Sequence, residues 1–308
     1  MMHARRGLGR GGGWKTQAGY YAMFLVPALW MFLFSYLPMA GIYLAFIDYK
    51  PARGIAGSAF VGLKFFRQFF ESIDCRRIIV NTLMYNVVRI ALLNVFVGML
   101  FALLLYEIKS RMANRIFQTA MLLPSFLSWT VVSAALMMML HPARGVLNEL
   151  LQALGLSPVS WYKEPKYWPT IIQLSYIYKD AGMASIYYFA ALLSVDTELF
   201  DAASIDGAGR LKRVIHIDLP CILPTAAIML IMRAGSVMSV GFEKVYLMQN
   251  SVNLAYSEII STYVYKVGMQ DSDFSYSTAI GLFNSVVNLA LLVAVNTITK
   301  KLGETSLF

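Results

Sequence analysis

The residues able to do chemistry are few, and their spacing argues against catalysis. Three histidines, His3, His141 and His216, lie far apart, with no His-Glu-x-x-His helix and no Cys/His cluster of metal-ligand spacing. Cys75 and Cys221 stand in unlike surroundings and define no disulfide framework. No nucleophile elbow and no paired-carboxylate constellation is present, so an enzyme is not expected. The segment Gly9-Arg10-Gly11-Gly12-Gly13-Trp14-Lys15-Thr16 imitates a phosphate loop. Trp14 stands where a glycine must precede Lys-Thr for the backbone to curl round phosphates, and no strand precedes it. No cofactor is expected on this chain.

What remains is a set of ionisable residues inside apolar runs, where each is costly and functional by default. Lys179-Asp180, followed by Gly182, lies midway along one run, and Arg89 lies in an earlier one. Arg233, Ser236, Ser239 and Glu243-Lys244 lie along a later one. Tyrosines 176, 178, 187 and 188 suit stacking on a sugar ring and, equally, ordinary packing or an interfacial belt. Internal ion pairing, Lys179 with a neighbour or Arg233 with Glu243, accounts for the same pattern.

The elements that must position these groups follow from composition. Of 308 residues 58% are hydrophobic and only 14% charged, with mean hydropathy +0.59, where a soluble domain carries about 25% charged residues. This points to an all-α polytopic membrane protein. Apolar runs at 20–46, 78–106, 117–140, 167–193, 222–247 and 278–298 each supply the roughly 20 residues a crossing needs. Six transmembrane helices between residues 20 and 300 are expected, after a basic segment 1–19 and before a tail 301–308. The first run is too long for a signal peptide and reads as a retained anchor.

The net charge of +9, from 26 Lys+Arg against 17 Asp+Glu, serves topology and anionic headgroups here rather than nucleic acid. Loop charges are split almost evenly across the bilayer. The cluster Arg5, Arg6, Arg10 and Lys15 tips the N-terminus to the cytoplasm, and Lys300 and Lys301 agree with a cytoplasmic C-terminus. The loops 48–77 and 141–166, rich in Gly, Pro and aromatics, suit an outer surface with short interfacial helices.

One cytoplasmic loop, 194–220, has internal design. Asp196 or Thr197 is a plausible helix N-cap, and Glu198 and Asp201 put negative charge in the first turns. Leu199, Phe200, Ala203 and Ile205 form an apolar stripe, and Gly207 can end the helix in a left-handed conformation. A short basic helix with Arg210, Lys212 and Arg213 follows, and Leu219-Pro220 restarts the chain into the fifth span. A slim helix jointed to two membrane helices suits being gripped and transmitting displacement. A loop that packs on headgroups suits the pattern too.

The spacing within this loop resembles the cytoplasmic signature of binding-protein-dependent ABC importer permeases. Asp201-Ala202-Ala203 stands for the Glu-Ala-Ala triplet, Asp206-Gly207-Ala208 for the Asp-Gly-Ala core, and Ile217-x-Leu219-Pro220 for the closing Ile-x-Leu-Pro. Asp201 replaces the usual Glu, keeping charge with a shorter reach, and Asp196 stands where a proline is common. The likeness extends through Asn81-Thr82, Leu123-Pro124, Gly241-Phe242-Glu243 and Thr262-Tyr263-Val264, and is nearest to sugar permeases of the maltose-permease type, within them the complex-oligosaccharide subgroup.

That resemblance implies a type I permease (MetI-like) fold in a bacterial cytoplasmic membrane. It implies a second, homologous permease, two ATPase subunits that carry ATP and Mg, and an extracytoplasmic solute-binding protein delivering oligosaccharide. Loop 194–220 would couple to an ATPase subunit. Sugar contacts would lie midway along the helices flanking it, at Lys179, Asp180, Ser236 and Ser239, with Glu243 as a further contact. If Arg89, Lys179 and Arg233 face the cavity, the substrate would be anionic, such as a uronate-containing oligosaccharide. A secondary transporter would favour internal repeats, of which none is clear. A permease for a non-sugar solute is the other alternative.

Overall fold

The computed structural model describes residues 14–239 and 241–301. Arg5, Arg6 and Arg10, the glycines of the 9–13 stretch and the tail after Lys301 lie outside them. Among the described residues the regular structure is helical, apart from one two-stranded antiparallel hairpin that pairs Ile47 with Phe60 and Asp48 with Ala59.

Among the described residues four helices are long and apolar enough to cross a membrane: Ala18–Phe46, Ile73–Tyr106, Arg210–Ala234 and Phe274–Ile298. The pieces Arg111–Phe126 and Trp129–Met139 meet the same length and hydropathy requirement only when taken together, across a bend of 97°. The helix Trp168–Leu193 has 26 residues, about 39 Å at the α-helical rise. Lys179, Asp180 and several hydroxyls lower its hydropathy. It is nonetheless central, burying Ile172, Tyr176, Tyr188 and Leu192. The first long helix, by contrast, turns large side chains such as Phe24 and Trp30 outward, as a lipid-facing surface requires.

Three expectations of continuity are corrected. The run 117–140 is broken after Phe126: Pro124 forces a tight turn, and Ser128 caps the new helix by accepting a hydrogen bond from Val131 N. The run 222–247 ends as a helix at Ala234 and resumes only at Phe242, across a stretch holding Gly235 and Gly241. In the other direction, Leu219-Pro220 restarts nothing, because Arg210–Ala234 is one helix with a π-helical stretch at Val214–Asp218. Pro220 lies where the carbonyls before it already bond through wider turns. Short helices do stand in the two long loops, at Lys64–Glu71 and Val146–Ala153.

Close approaches set the packing. A Cβ on Gly182 would lie 2.1 Å from the Met121 carbonyl oxygen, so Trp168–Leu193 meets the backbone of Arg111–Leu122 there. Gly98 likewise lets Ile73–Tyr106 approach Ala184 and Tyr188. Small residues at such crossings are how membrane helices gain contact where no hydrophobic effect drives them together.

Candidate functional site

Both helix breaks adjoin one cluster of basic side chains and aromatic rings, in which Lys244 and Lys179 are buried and Arg89 is half-buried. Lys244 is fully buried. Its Nζ donates to the Ile172 carbonyl at 2.7 Å and lies 3.3 Å from the centroid of Tyr176 and 4.6 Å from that of Trp129. Lys179 Nζ donates to the Ser125 carbonyl at 2.7 Å and stands 5.3 Å from the same Trp129 ring. The Arg89 guanidinium lies 4.9 Å from the Tyr176 centroid, and Trp129 meets Tyr176 edge-on at 5.2 Å. Two rings thus lie against three cations, an arrangement the ring quadrupole favours.

Asp180 is the carboxylate of this cluster, within electrostatic range of Lys179, Arg89, Lys244 and Arg233. None of these five side chains belongs to an ion pair within 4.0 Å among the described residues. The alternative of internal ion pairing, Lys179 with a neighbour or Arg233 with Glu243, is not realised within 4.0 Å among the described residues. Lys179 is satisfied by a backbone carbonyl freed at a helix break instead. Basic side chains outnumber the one carboxylate here, with Lys179 and Lys244 buried, Arg89 half-buried and Arg233 exposed at the edge.

The structure brings Lys179 and Asp180 into this cluster and sets the other expected residues around it. Exposed Glu243 accepts a hydrogen bond from Thr130 Oγ1 at 3.1 Å, on the short helix beside Lys244. Ser236 bonds its own Arg233 carbonyl at 3.1 Å. Ser239 accepts from Asn288 Nδ2 at 3.2 Å, toward the last helix. The broken backbone is held by asparagines: Asn86 Nδ2 donates to the Val237 carbonyl at 2.5 Å, and Asn288 Oδ1 accepts from Met238 N at 2.8 Å. Such side-chain partners are what non-helical backbone at membrane depth requires. Sequence reasoning missed Trp129 and the burial of Lys244. The signals were Pro124 with Ser128, and Gly235 with Gly241, each pair marking a break beside a charge.

The loop helix is Thr197–Ile205. Asp196 rather than Thr197 is its N-cap, accepting from Glu198 N at 3.0 Å. At the other end Gly207 has φ +70°. Ala208 N donates to the Ala203 carbonyl at 2.9 Å and Gly207 N to that of Ser204 at 3.2 Å, the paired bonds of a Schellman motif. The apolar stripe splits. Phe200 and Ala203 are partly covered by the protein body, while Leu199 and Ile205 are 48% and 87% exposed. Asp201, Ala202, Asp206 and Gly207 are exposed, and Leu219 packs with Ala102, Tyr188 and Ile222 under the loop.

A polytopic helical protein with a cationic cluster at two helix breaks, and a capped, outward-facing helix between two long ones, is a membrane transport subunit. The chain belongs to the family of binding-protein-dependent transport system inner membrane components, whose model matches residues 94–304. It is 38% identical to the protein LplB of Bacillus subtilis (strain 168), over 97% of this chain and 95% of that protein. It is 37% identical to the polygalacturonan/rhamnogalacturonan transport system permease YteP of the same organism, over 94% and 89%. Among solved structures it superposes with TM-score 0.85 on a bacterial ABC transporter that imports the acidic polysaccharide alginate, at 34% identity, covering 93% of this chain and 96% of that one. A second structure of such a transporter, bound to a periplasmic protein carrying alginate pentasaccharide, gives TM-score 0.85 at 33% identity, covering 95% and 98%.

Proposed function

We propose that this chain is one permease subunit of an ATP-driven importer of acidic oligosaccharides. The observation that carries the reading is the seating of Arg89, Lys179 and Lys244 against the rings of Trp129 and Tyr176, with Asp180 and the exposed Arg233 within electrostatic range. Cations complement the carboxylates of a uronate chain, and ring faces complement the apolar faces of sugar rings. The relatives named for polygalacturonan, rhamnogalacturonan and alginate support the same solute chemistry. A second permease closes the other half of the path, and a solute-binding protein delivers the sugar from outside.

In this reading the helix Thr197–Ile205, with Asp201, Ala202, Ala203, Asp206 and Gly207, docks on one of two ATPase subunits, and Ile217, Leu219 and Pro220 root it in the next span. ATP and Mg belong to those partners. Both termini face the cytoplasm. ATP-driven closure of the ATPase pair moves the loop helix, and the permease alternates between inward and outward access. Solute moves because it binds one state better than the other.

The test is uptake by the assembled importer in proteoliposomes, comparing alginate or galacturonate oligosaccharides with neutral oligosaccharides of equal length. Arg233→Ala should depress uptake of the acidic sugars selectively. Equal loss for neutral and acidic sugars would remove the charge argument. Uptake that ignores ATP and follows a proton gradient would overturn the importer itself.

A further inference from the structure

Arg213 lies in the first turns of the Arg210–Ala234 helix, and side chains from three elements converge on its guanidinium. It ion-pairs with Glu107, the residue directly after the Ile73–Tyr106 helix. It stands over Phe200 of the loop helix, 5.5 Å from the ring centroid. Its Nε is 3.9 Å from Oδ2 of Asp218 on its own helix. Asp218 is 1% exposed, and its carboxylate oxygens accept no hydrogen bond among the described residues. Tyr106, which ends the long helix, adds a ring contact to Phe200 at 6.0 Å.

The arrangement ties parts that the loop signature alone leaves separate. A buried carboxylate without hydrogen bonds is costly, and Arg213 is the cation within 4.0 Å of it among the described residues. Arg213 is thus held in place from below while it reaches Glu107 and Phe200. Both members of the Arg213–Glu107 pair are 29% exposed, so solvent and salt screen it less than a pair on the open surface. The helix that Glu107 follows carries Arg89 onto the Tyr176 ring. From Arg89 the path runs through the π-helical stretch Ile90–Val97 and the α-helical Gly98–Tyr106, at most about 27 Å to Glu107 at the α-helical rise. The helix is continuous from Ile73 to Tyr106, so the Glu107 end and the cation cluster share one helical path.

We propose that Arg213 is a positioning residue for transport: it clasps the loop helix to the Ile73–Tyr106 helix, so that displacement of the loop is delivered along that helix to Arg89. The inference rests on the proposed docking of the loop helix on an ATPase subunit and adds the link by which docking reaches the solute site. Without the clasp, the loop helix still binds its ATPase subunit and hydrolysis continues, but less of the motion arrives.

The experiment uses the complete importer in proteoliposomes with its solute-binding protein and a tritiated alginate oligosaccharide, measuring ATP hydrolysed and sugar imported together. Arg213→Ala and Glu107→Gln should each keep the ATPase subunits through purification, while sugar imported per ATP falls roughly tenfold. The double variant should fall no further than the singles, and Arg213→Lys should recover part of the ratio. Glu107→Gln preserves shape, so it reads the pair even where Arg213→Ala folds poorly. A wild-type ratio in both single variants, or losses that multiply in the double, would overturn the proposal while leaving the docking intact. Docking itself is read separately, by Leu199→Asp combined with Ile205→Asp: ATPase subunits that stay bound and active for uptake would remove the docking and the proposal with it.

Discussion

Ser125 and Lys179 bind each other in both directions: Lys179 Nζ donates to the Ser125 carbonyl at 2.7 Å, and Ser125 Oγ donates to the Lys179 carbonyl at 2.8 Å. The carbonyl that Lys179 takes lies in the tight turn before the 97° bend, where no helical N–H remains to satisfy it. The lysine therefore has two roles. It supplies charge to the cluster and it replaces a missing backbone donor. Lys179→Met removes both, leaving a part-buried carbonyl unpaired at a cost of about 1–3 kcal/mol. Ser125→Ala removes only the hydroxyl bond, about 1 kcal/mol, and leaves the charge. Thermal unfolding of the purified protein should rank Lys179→Met well below Ser125→Ala, and only the first should lose uptake of acidic sugar. Equal stability of the two would show that the bend needs no donor from Lys179.

Gly182 should tolerate nothing larger. Its Cβ would lie 2.1 Å from the Met121 carbonyl oxygen and 3.0 Å from Leu122 N, both backbone atoms that no rotamer change can move. Gly182→Ala forces two packed helices apart next to Lys179 and Asp180, and overpacking of this kind costs about 1–3 kcal/mol or more. Gly98→Ala meets side chains of Tyr188 and Ala184 at 3.0 and 3.2 Å and the Leu93 carbonyl at 3.2 Å, so it should cost less. Yield of monodisperse protein from membranes, variant against variant, checks the order.

Asn148 should hold the loop between the bent crossing and the next helix. It is 1% exposed, and its amide donates to the carbonyls of Pro142 and Val159, each at 2.9 Å. Its Oδ1 accepts from Val159 N at 3.0 Å and from Trp161 Nε1 at 3.1 Å. Asn148→Asp keeps the acceptor and loses both donors, placing a carboxylate against two carbonyls. Its cost should exceed that of Asn148→Ala, and both should expose the loop. Limited proteolysis of this loop reads it directly, and unchanged cutting of Asn148→Asp would count against the hub.

How much of this was legible in the sequence depended on what sets each feature. The loop helix was legible, because caps are local: Asp196, Gly207 and their spacing act within a few residues. So were four of the long helices, the runs at 20–46, 78–106, 167–193 and 278–298, from apolar run length alone, whereas the run at 222–247 overlaps Arg210–Ala234 only in part. The break after Phe126 and the end of the helix at Ala234 were not, because the apolar run continues through both. Hydropathy measures the solvent a segment faces and is blind to a bend inside an apolar environment. The fate of Lys179 was hidden for a related reason. Its partner is the Ser125 carbonyl, and every residue has a carbonyl, so no side-chain pattern announces it. Arg213 and Glu107 are far apart in sequence, and their pairing needed the two helices in place.

Gly207 separates conformation from bulk in the loop helix. Nothing lies within 4 Å of a Cβ built there, so space is free, but φ is +70°. In that region a β-branched side chain is strongly disfavoured, whereas Asn visits it at small cost. Gly207→Asn should keep the Schellman bonds from Ala208 N and Gly207 N and retain ATPase subunits through purification. Gly207→Val should cost about 1–2 kcal/mol in the left-handed conformation, enough to unwind the last turn, where Ile205 projects 87% exposed. The docking face would then be lost although no contact is blocked. Co-purification of ATPase subunits with the two variants decides it. Retention with Asn and loss with Val makes the glycine a matter of backbone geometry. Equal loss with both would mean that the partner surface presses on Gly207 itself, and the free space around it in this chain would be where an ATPase subunit seats.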